Sequence, residues 1–274
     1  LFRKDGSERG LYAEILSNEN LEQIGDNFLL KSGISYSLRD TIATDYGFIN
    51  GYINSAVNTN NKAFIQRYDF SGNKIGEELN FEAIWDLDLE VLSNKNIVLA
   101  TSSEDDWDSG IIVTTLDSEL NQLNVYKTNE YYEQNSPQLL AMPSSYFSND
   151  GFVMTSYANR DDGNHSIRIQ TFDNNGDWII PSTGNNGISV NLDSNFATNG
   201  IDYSYGGDFN LGYYSSSIAI GDEGNIKVTW LSKHPEDETS PWSMTHDTNL
   251  IISHFNLEEE TSSFSKQFSV INVN

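Results

Sequence analysis

Apolar and polar residues alternate in five stretches of the chain, and each of these stretches runs into a polar turn. Alternation with a period of two predicts a half-buried β-strand. The segment Ser148–Pro181 shows the arrangement most completely: a Gly-led apolar run, an acidic loop, an alternating strand and a turn. The turns that end the alternating stretches begin at Ser17, Asp69, Asp117, Asp173 and Asn256. The sequence therefore predicts five copies of one strand–turn element.

The same repeats predict three further families of strands. Apolar runs precede four of the turns, at Phe48–Asn54, Ile97–Ser103, Phe152–Ala158 and Ile226–Ser232. The first three of these runs begin 21, 20 and 21 residues before the turn that follows them. Opening strands are predicted at Tyr36–Thr44, Trp85–Leu92, Pro137–Met142 and Ser215–Ile220. Closing strands are predicted near Glu77–Phe81, Asn124–Thr128, Gly187–Leu192 and Phe264–Val273.

Four antiparallel strands in each unit of about 50 residues are typical of a propeller blade. We therefore predict an all-β fold, a β-propeller of about five four-stranded blades or part of a larger propeller. A β-solenoid or a sandwich of two stacked sheets is the alternative. The predicted single domain 1–274 divides into units at 1–34 (partial), 35–83, 84–131, 132–199 and 200–274.

The number of predicted strands does not fill five blades. The first unit supplies only its third and fourth strands, which leaves four complete blades and a half. Gly184–Tyr214 is extra length that could hold a further hairpin. Either this segment helps to complete a ring of five blades, or preceding blades belong to a longer polypeptide. The sequence leaves both arrangements open.

Two of the units carry a motif that resembles a known group of repeats. Gly151-Phe152-Val153-Met154-Thr155 is followed by Ile169-Gln170-Thr171-Phe172-Asp173, and Ile65-Gln66-Arg67-Tyr68-Asp69 is followed by Gly72. This pattern resembles degenerate propeller-like repeats of large bacterial secreted RTX-type and adhesin-like proteins. The resemblance implies a secreted or cell-surface protein with an extracellular location. The unit around Asp117 departs from the motif because it lacks the turn glycine.

Composition and charge restrict the possible partners. The chain has 40 acidic and 15 basic residues, for a net charge of -25, so it would repel nucleic acid and anionic membrane surfaces. Aromatic residues make up 12% of the chain, which is too many for a disordered acidic polypeptide. There is no cysteine, which excludes disulfides and thiolate metal sites. No run of 18 apolar residues is present, so we predict no membrane insertion.

Acidic loops and one turn are the candidate metal sites. Ca²⁺ binds carboxylate, amide and carbonyl oxygens. Two loops and one hairpin turn each place three such side chains close together in the sequence: Asp105, Asp106 and Asp108; Asp161, Asp162 and Asn164; Asp173, Asn175 and Asp177. The alternatives are solvated acidic loops and an ordinary hairpin turn with glycine at positive φ.

Aromatic side chains in or beside the loops are the candidate partner-binding residues. Trp107 lies in an acidic loop, Tyr131 and Tyr132 adjoin each other between two units, and Trp242 lies in the long insertion 233–247. Such rings stack on sugar faces or anchor a protein interface. Packing between blades also uses Tyr and Trp, and that alternative stays open.

These observations predict a non-enzymatic extracellular binding or structural module of a bacterial surface or secreted protein. It would present acidic and aromatic loops to a glycan or protein partner, with Ca²⁺ as a possible ordering ion. One alternative is a glycan-active hydrolase or lyase with paired carboxylates at the mouth of a propeller. Another is a structural subunit that contacts other chains or domains of a larger extracellular assembly.

Overall fold

The computed structural model describes fourteen stretches of the chain, and all that follows concerns them. They are residues 10–17, 19–32, 36–54, 62–82, 86–102, 110–128, 133–142, 150–159, 165–179, 188–191, 217–220, 226–233, 248–255 and 271–273. The chain forms two compact units, Leu1–Leu87 and Asp88–Asn274. In the described stretches the regular structure is entirely β, without a helix.

The first unit contains two antiparallel sheets. Sheet A has two strands, β1 (Gly10–Leu16) and β2 (Gln23–Ser32). Sheet B has four strands in chain order, namely β3 (Tyr36–Thr44), β4 (Gly47–Asn54), β5 (Lys62–Asp69) and β6 (Lys74–Glu82).

The second unit contains three four-stranded antiparallel sheets, apart from Leu87 at the start of β7. Sheet C consists of β7 (Leu87–Val91), β8 (Ile97–Ser102), β9 (Ile111–Leu116) and β10 (Gln122–Lys127). Sheet D consists of β11 (Glu133–Met142), β12 (Gly151–Asn159), β13 (His165–Asp173) and β14 (Ile188–Asn191). Sheet E consists of β15 (Ser217–Ile220), β16 (Ile226–Lys233), β17 (Thr248–Phe255) and β18 (Ile271–Val273).

The predicted strands are confirmed, including the half unit at the start. Each predicted strand overlaps an observed one, and Tyr36–Thr44 has the predicted bounds. The last predicted strand, Phe264–Val273, is described only as β18, because residues 264–270 lie outside the described part. All-β architecture and small antiparallel sheets therefore followed from the alternation alone.

Aromatic rings form the core between sheets A and B. Leu11 and Leu30 of sheet A pack against Tyr52 and Tyr68 of sheet B, and all four side chains are buried. The ring of Tyr68 stacks on that of Phe48, its partner across β4 and β5, with centroids 5.2 Å apart. The Tyr68 hydroxyl donates a hydrogen bond to the Leu30 carbonyl at 3.1 Å, which joins the two sheets.

Burial raises the pKa of Tyr68 to about 12, which predicts a loss of stability at alkaline pH. The folded-state pKa lies above the value of 10 for an unfolded tyrosine, so the stabilisation is complete below pH 10 and is lost as the pH rises toward 12. Tyr68→Phe removes this dependence and costs about 1 kcal/mol through the unpaired carbonyl. Urea unfolding of both proteins between about pH 8 and pH 11.5 measures the difference, which should shrink as the pH rises. A difference in the free energy of unfolding that does not change with pH would contradict a raised pKa of the buried Tyr68 hydroxyl.

The core between sheets C and D repeats the same arrangement. Phe152 and Phe172 stack at 4.8 Å across β12 and β13, at the register position that Phe48 and Tyr68 occupy in sheet B. Tyr126, on the last strand of sheet C, meets the Phe172 ring edge-on at 5.5 Å. Val98, Ala100, Val113 and Met154 are among the other buried side chains of this cluster. Sheet B therefore packs on sheet A, and sheet D on sheet C, through a stacked pair of rings at the same register position.

Candidate binding face

A repeated aspartate turn closes the hairpin between the third and fourth strands of sheet B. The Asp69 carboxylate accepts hydrogen bonds from the backbone N–H groups of Ser71 and Asn73, both at 2.8 Å. Its second oxygen accepts one from the Asn73 side-chain amide at 2.9 Å. Gly72 takes a φ of 82°, a conformation that glycine adopts without steric cost. The polar groups of this turn are therefore bonded to one another.

Sheet C forms the same turn without a glycine. Asp117 accepts hydrogen bonds from the backbone N–H groups of Glu119 and Asn121 and from the Asn121 side chain, at 2.8 to 2.9 Å. Leu120 holds the position of positive φ, at 67°, and its side chain is buried. The departure from the sequence motif at Asp117 thus leaves the turn geometry unchanged.

Asp173, Asn175 and Asp177, three of the predicted calcium ligands, occupy this turn in sheet D. The Asp173 carboxylate accepts hydrogen bonds from the backbone N–H groups of Asn175 at 2.8 Å and Asp177 at 3.0 Å. Asp177 stands where the other turns have asparagine, and its carboxylate accepts a hydrogen bond from Asn124 of sheet C at 3.0 Å. Both carboxylates thus have protein donors, and calcium binding at this turn stays a prediction.

Replacing Asn73 by alanine is expected to raise the pKa of Asp69 toward its ordinary value. The hydrogen bond from the Asn73 side chain is the largest cause that holds this pKa below 3.8, followed by the backbone N–H of the same residue. NMR titration of the Asp69 carboxyl carbon measures the change, with Asn121→Ala as the matched control in another sheet. An equal shift at Asp69 in the control, or no shift in Asn73→Ala, would contradict the assignment.

Sheets C and D meet at the ends that carry these turns. Besides the Asn124–Asp177 hydrogen bond, the Asn96 side chain donates to the Asn174 carbonyl at 3.2 Å. The Ser93 hydroxyl donates to Asp150, just before β12, at 3.1 Å. Turns of sheet C therefore lie beside turns of sheet D.

The strands of both sheets run from these turns to the opposite ends of the sheets. In an antiparallel sheet with strands in chain order, the second connection leaves from the end opposite to the first and third connections. That connection is segment 103–109 in sheet C and segment 160–164 in sheet D. The first segment contains four acids and Trp107 without a base, and the second contains two acids and one arginine. These segments leave sheets C and D at the ends opposite to the turns. We call these ends of sheets C and D the loop end.

Most of the predicted site residues belong to segments that leave this end. Asp105, Asp106, Asp108 and Trp107 lie in the first segment, and Asp161, Asp162 and Asn164 lie in the second. All seven lie outside the described residues, as do Tyr131, Tyr132 and Trp242. The structure therefore places the strand ends that hold the two acidic segments, and the roles of these side chains stay predictions.

A half-buried cation lies on β13, and sequence reasoning missed it. Arg168 is on β13, three residues after His165, and pairs with Ser156 of β12 across the sheet. Burial lowers the pKa of Arg168 to about 10, so its guanidinium remains protonated at neutral pH. In the sequence, Arg168 is the one charged residue between His165 and Asp173, a stretch in which apolar and polar residues alternate.

A second polar cluster joins sheets A and B in the first unit. Lys31 of β2 bonds both carboxylate oxygens of Glu78 on β6, at 2.5 and 2.8 Å. The Tyr52 hydroxyl donates to the same carboxylate. The Lys31 ammonium also lies 5.1 Å from the centroid of the Phe64 ring, within cation–π distance. The lysine and glutamate lie 47 positions apart, so no local spacing predicts the pair.

Two features of the described residues concern metal binding and membranes. No group of three histidine, aspartate or glutamate side chains there is arranged to hold a metal ion. In the same part of the chain, no helix is long and apolar enough to cross a membrane.

Comparison with known proteins gives likenesses among solved structures. No protein-family model matches the chain, and no curated protein matches it either. Among solved structures, the chain is similar to an endo-arabinase from Bacteroides thetaiotaomicron, with 13% sequence identity and a TM-score of 0.43. The match covers 84% of this chain and 80% of that one. An identity and a TM-score this low assign neither an activity nor a family to this chain.

Proposed function

We propose that this protein is a non-enzymatic extracellular binding module that presents the loop end of sheets C and D to a glycan or protein at a cell surface. The observation that supports the proposal is the contact between the turn ends of these sheets, from which we infer that the two acidic segments leave a common end. The turns themselves are less suited to binding, since Asp69, Asp117 and Asp173 use their carboxylates within the hairpins.

The fold suits a binding surface on a rigid support. The strands that carry the segments are buried on both faces: Ile97 to Ser102 and Gly151 to Ser156 are each buried without interruption. Loops positioned by such a scaffold often carry the binding residues of a protein. Trp107 supplies an aromatic face for a sugar ring or an apolar anchor for a protein. We propose further that the repeated sheets are blades of a propeller, in which such loops share one face.

Calcium is part of this proposal for segments 103–109 and 160–164. Their carboxylates and the Asn164 amide are the oxygen donors that Ca²⁺ prefers. Ions at this end would offset the repulsion among Asp105, Asp106 and Asp108 in an already acidic protein. We therefore expect the midpoint of thermal unfolding to rise when millimolar Ca²⁺ is added and to fall with EDTA. An unchanged midpoint would contradict the calcium part and leave the binding face to be tested separately.

A glycan array probed with the full chain tests the binding proposal. We expect at least one glycan to be retained, and we expect Asp161→Asn/Asp162→Asn to reduce that signal roughly tenfold, because desolvated charged contacts contribute on the order of 1–3 kcal/mol. Glu19→Gln/Glu119→Gln removes the same charge from exposed turns and should leave binding unchanged. Mass analysis of the retained glycan checks for turnover. Binding unaffected by the loop variant, or products released from the glycan, would contradict the proposal.

A further inference from the structure

We propose that Tyr52, Phe64 and Glu78 of sheet B form a binding cage for a primary alkylammonium group, and that Lys31 of sheet A fills this cage as an internal ligand. Once the Lys31 side chain is removed, the cage should accept a free primary alkylammonium ion. All four residues belong to the first unit, whereas the loop end belongs to the second.

Two stacked rings form the wall of the cage. Tyr52 on β4 and Phe64 on β5 are cross-strand partners, and their ring centroids lie 5.6 Å apart with planes 11° from parallel. The Lys31 ammonium lies 5.4 Å from the Tyr52 centroid and 5.1 Å from the Phe64 centroid. A cation within about 6 Å of a ring centroid is attracted by the electrons of the ring face. Both rings therefore help to hold the ammonium group.

The Glu78 carboxylate supplies the hydrogen-bond acceptors of the cage. Its two oxygens lie 2.5 and 2.8 Å from the Lys31 Nζ. The Tyr52 hydroxyl donates to the same carboxylate, which holds Glu78 beside the rings. The Lys31 and Glu78 side chains are 19% and 22% exposed, and Tyr52 is fully buried. Hydrogen bonds between an ammonium and a carboxylate are strong, and the partial removal of water strengthens the attraction between the charges.

Sheet D carries a different pair of residues at the register position of the two rings. Counted from the stacked ring pair in each core, Ser156 and Arg168 of sheet D hold the positions of Tyr52 and Phe64. Sheet D therefore has a basic residue of its own at this register, whereas sheet B takes the ammonium of Lys31 from sheet A. Because the cation and the cage belong to different sheets, the cage recognises a group that sheet B does not itself supply.

The chemistry of the cage selects a primary alkylammonium ion. The Glu78 carboxylate accepts N–H donors, which a quaternary ammonium ion lacks, and the two rings attract the positive charge. Lys31→Ala removes the lysine side chain beyond Cβ, and propylammonium supplies the same carbon chain and ammonium group. In the wild-type chain the internal ligand fills the cage, so added propylammonium should have no effect there.

Hydrogen exchange of the full chain tests the cage. Lys31→Ala should speed amide exchange in β2 roughly tenfold or more, because charge-assisted hydrogen bonds that hold sheet A on sheet B are lost. Saturating propylammonium should reverse most of this increase in the variant and should leave exchange in the wild-type chain unchanged. Strand β12, in the second unit, serves as the internal reference.

Three matched measurements separate the cage from the general attraction of cations to an acidic chain. Lys74→Ala removes an exposed ammonium from β6 and should neither speed exchange in β2 nor respond to propylammonium. Tetramethylammonium chloride carries the same charge without an N–H donor and should restore Lys31→Ala less than propylammonium does. In Lys31→Ala/Glu78→Gln the charged acceptor is absent, so propylammonium should bind roughly tenfold or more weakly.

A measurement on the wild-type chain keeps the test independent of how the variants fold. The rings of Tyr52 and Phe64 should shift the Lys31 ε-methylene proton resonances upfield of those of Lys74, because the Lys31 ammonium lies against both ring faces. Coincident resonances of the two lysines would overturn the proposal. Unchanged exchange in Lys31→Ala, equal restoration by the two ammonium ions, or an equal response of Lys31→Ala and Lys74→Ala to propylammonium would overturn it as well.

Discussion

Replacing Phe172 by alanine is expected to lower the free energy of unfolding by about 3–5 kcal/mol, the range for removal of a buried phenylalanine. Its ring is fully buried between sheets C and D. It stacks on Phe152 and meets the edge of Tyr126, so its loss leaves a cavity lined by aromatic rings. Chemical denaturation of the full chain, followed by tryptophan fluorescence, measures the change.

Phe70→Ala is the matched control for this prediction. Phe70 is in the exposed turn of sheet B and its side chain is 64% accessible, so we expect a change within about 0.5 kcal/mol. Equal effects of the two substitutions would contradict the packing of sheet D on sheet C. A small effect of Phe172→Ala alone would mean that the neighbouring rings close the cavity.

Replacing Gly176 by alanine is expected to lower the free energy of unfolding by about 2–4 kcal/mol, through two separate causes. The residue has a φ of 84°, and alanine in this left-handed region costs about 1–2 kcal/mol. A Cβ there would also lie 2.1 Å from the Thr115 hydroxyl of sheet C, and such overpacking costs about 1–3 kcal/mol. The second cause exists only if the turn of sheet D lies against sheet C.

Gly76→Ala separates the two causes. Gly76 has a φ of 70°, but its Cβ would meet only the end of the Arg67 side chain, at 3.5 Å. It should therefore show the conformational cost alone. In Gly176→Ala/Thr115→Ala the hydroxyl is absent, so the effect of the glycine substitution should fall to that of Gly76→Ala. If Thr115→Ala gives no such relief, the contact between the sheets is not the cause.

The strands and turns of this fold were predictable because each is encoded over short distances. Alternation placed the strands, and the aspartate–glycine turns set their ends to within a few residues, as at β5 and β13. The same reasoning failed to anticipate Leu120, which takes positive φ without being glycine. Its turn is held by the Asp117 carboxylate and three N–H donors, and these bonds offset the strain of a left-handed leucine.

Contacts between sheets could not be predicted from the sequence. The Lys31–Glu78 pair and the Asn124–Asp177 hydrogen bond join residues that lie 47 and 53 positions apart. Their partners are fixed by how whole sheets pack, which no local pattern specifies. The repeat itself predicts that the segments of Asp161 and Asp105 lie on one face, but it does not specify which residues join the sheets.

The main consequence of this packing is that the two ends of the sheets have different roles. At the turn end, polar side chains bond within hairpins and between neighbouring sheets, which stabilises the scaffold. At the loop end, the scaffold provides buried strands and Arg168, and the acids of segments 103–109 and 160–164 follow directly. Substitutions at the turn end should therefore change stability, and substitutions in the two segments should change binding.

A distance measurement between spin labels tests the common end most directly, and the absence of native cysteine makes the labelling specific. Labels at Ser109→Cys and Gly163→Cys should lie about 10–25 Å apart, since packed sheets are about 10 Å apart. Labels at Asn94→Cys and Gly163→Cys mark opposite ends of strands that span about 20–30 Å, and should be clearly farther apart. The account predicts the shorter distance for the first pair. The reverse order would contradict a shared binding face.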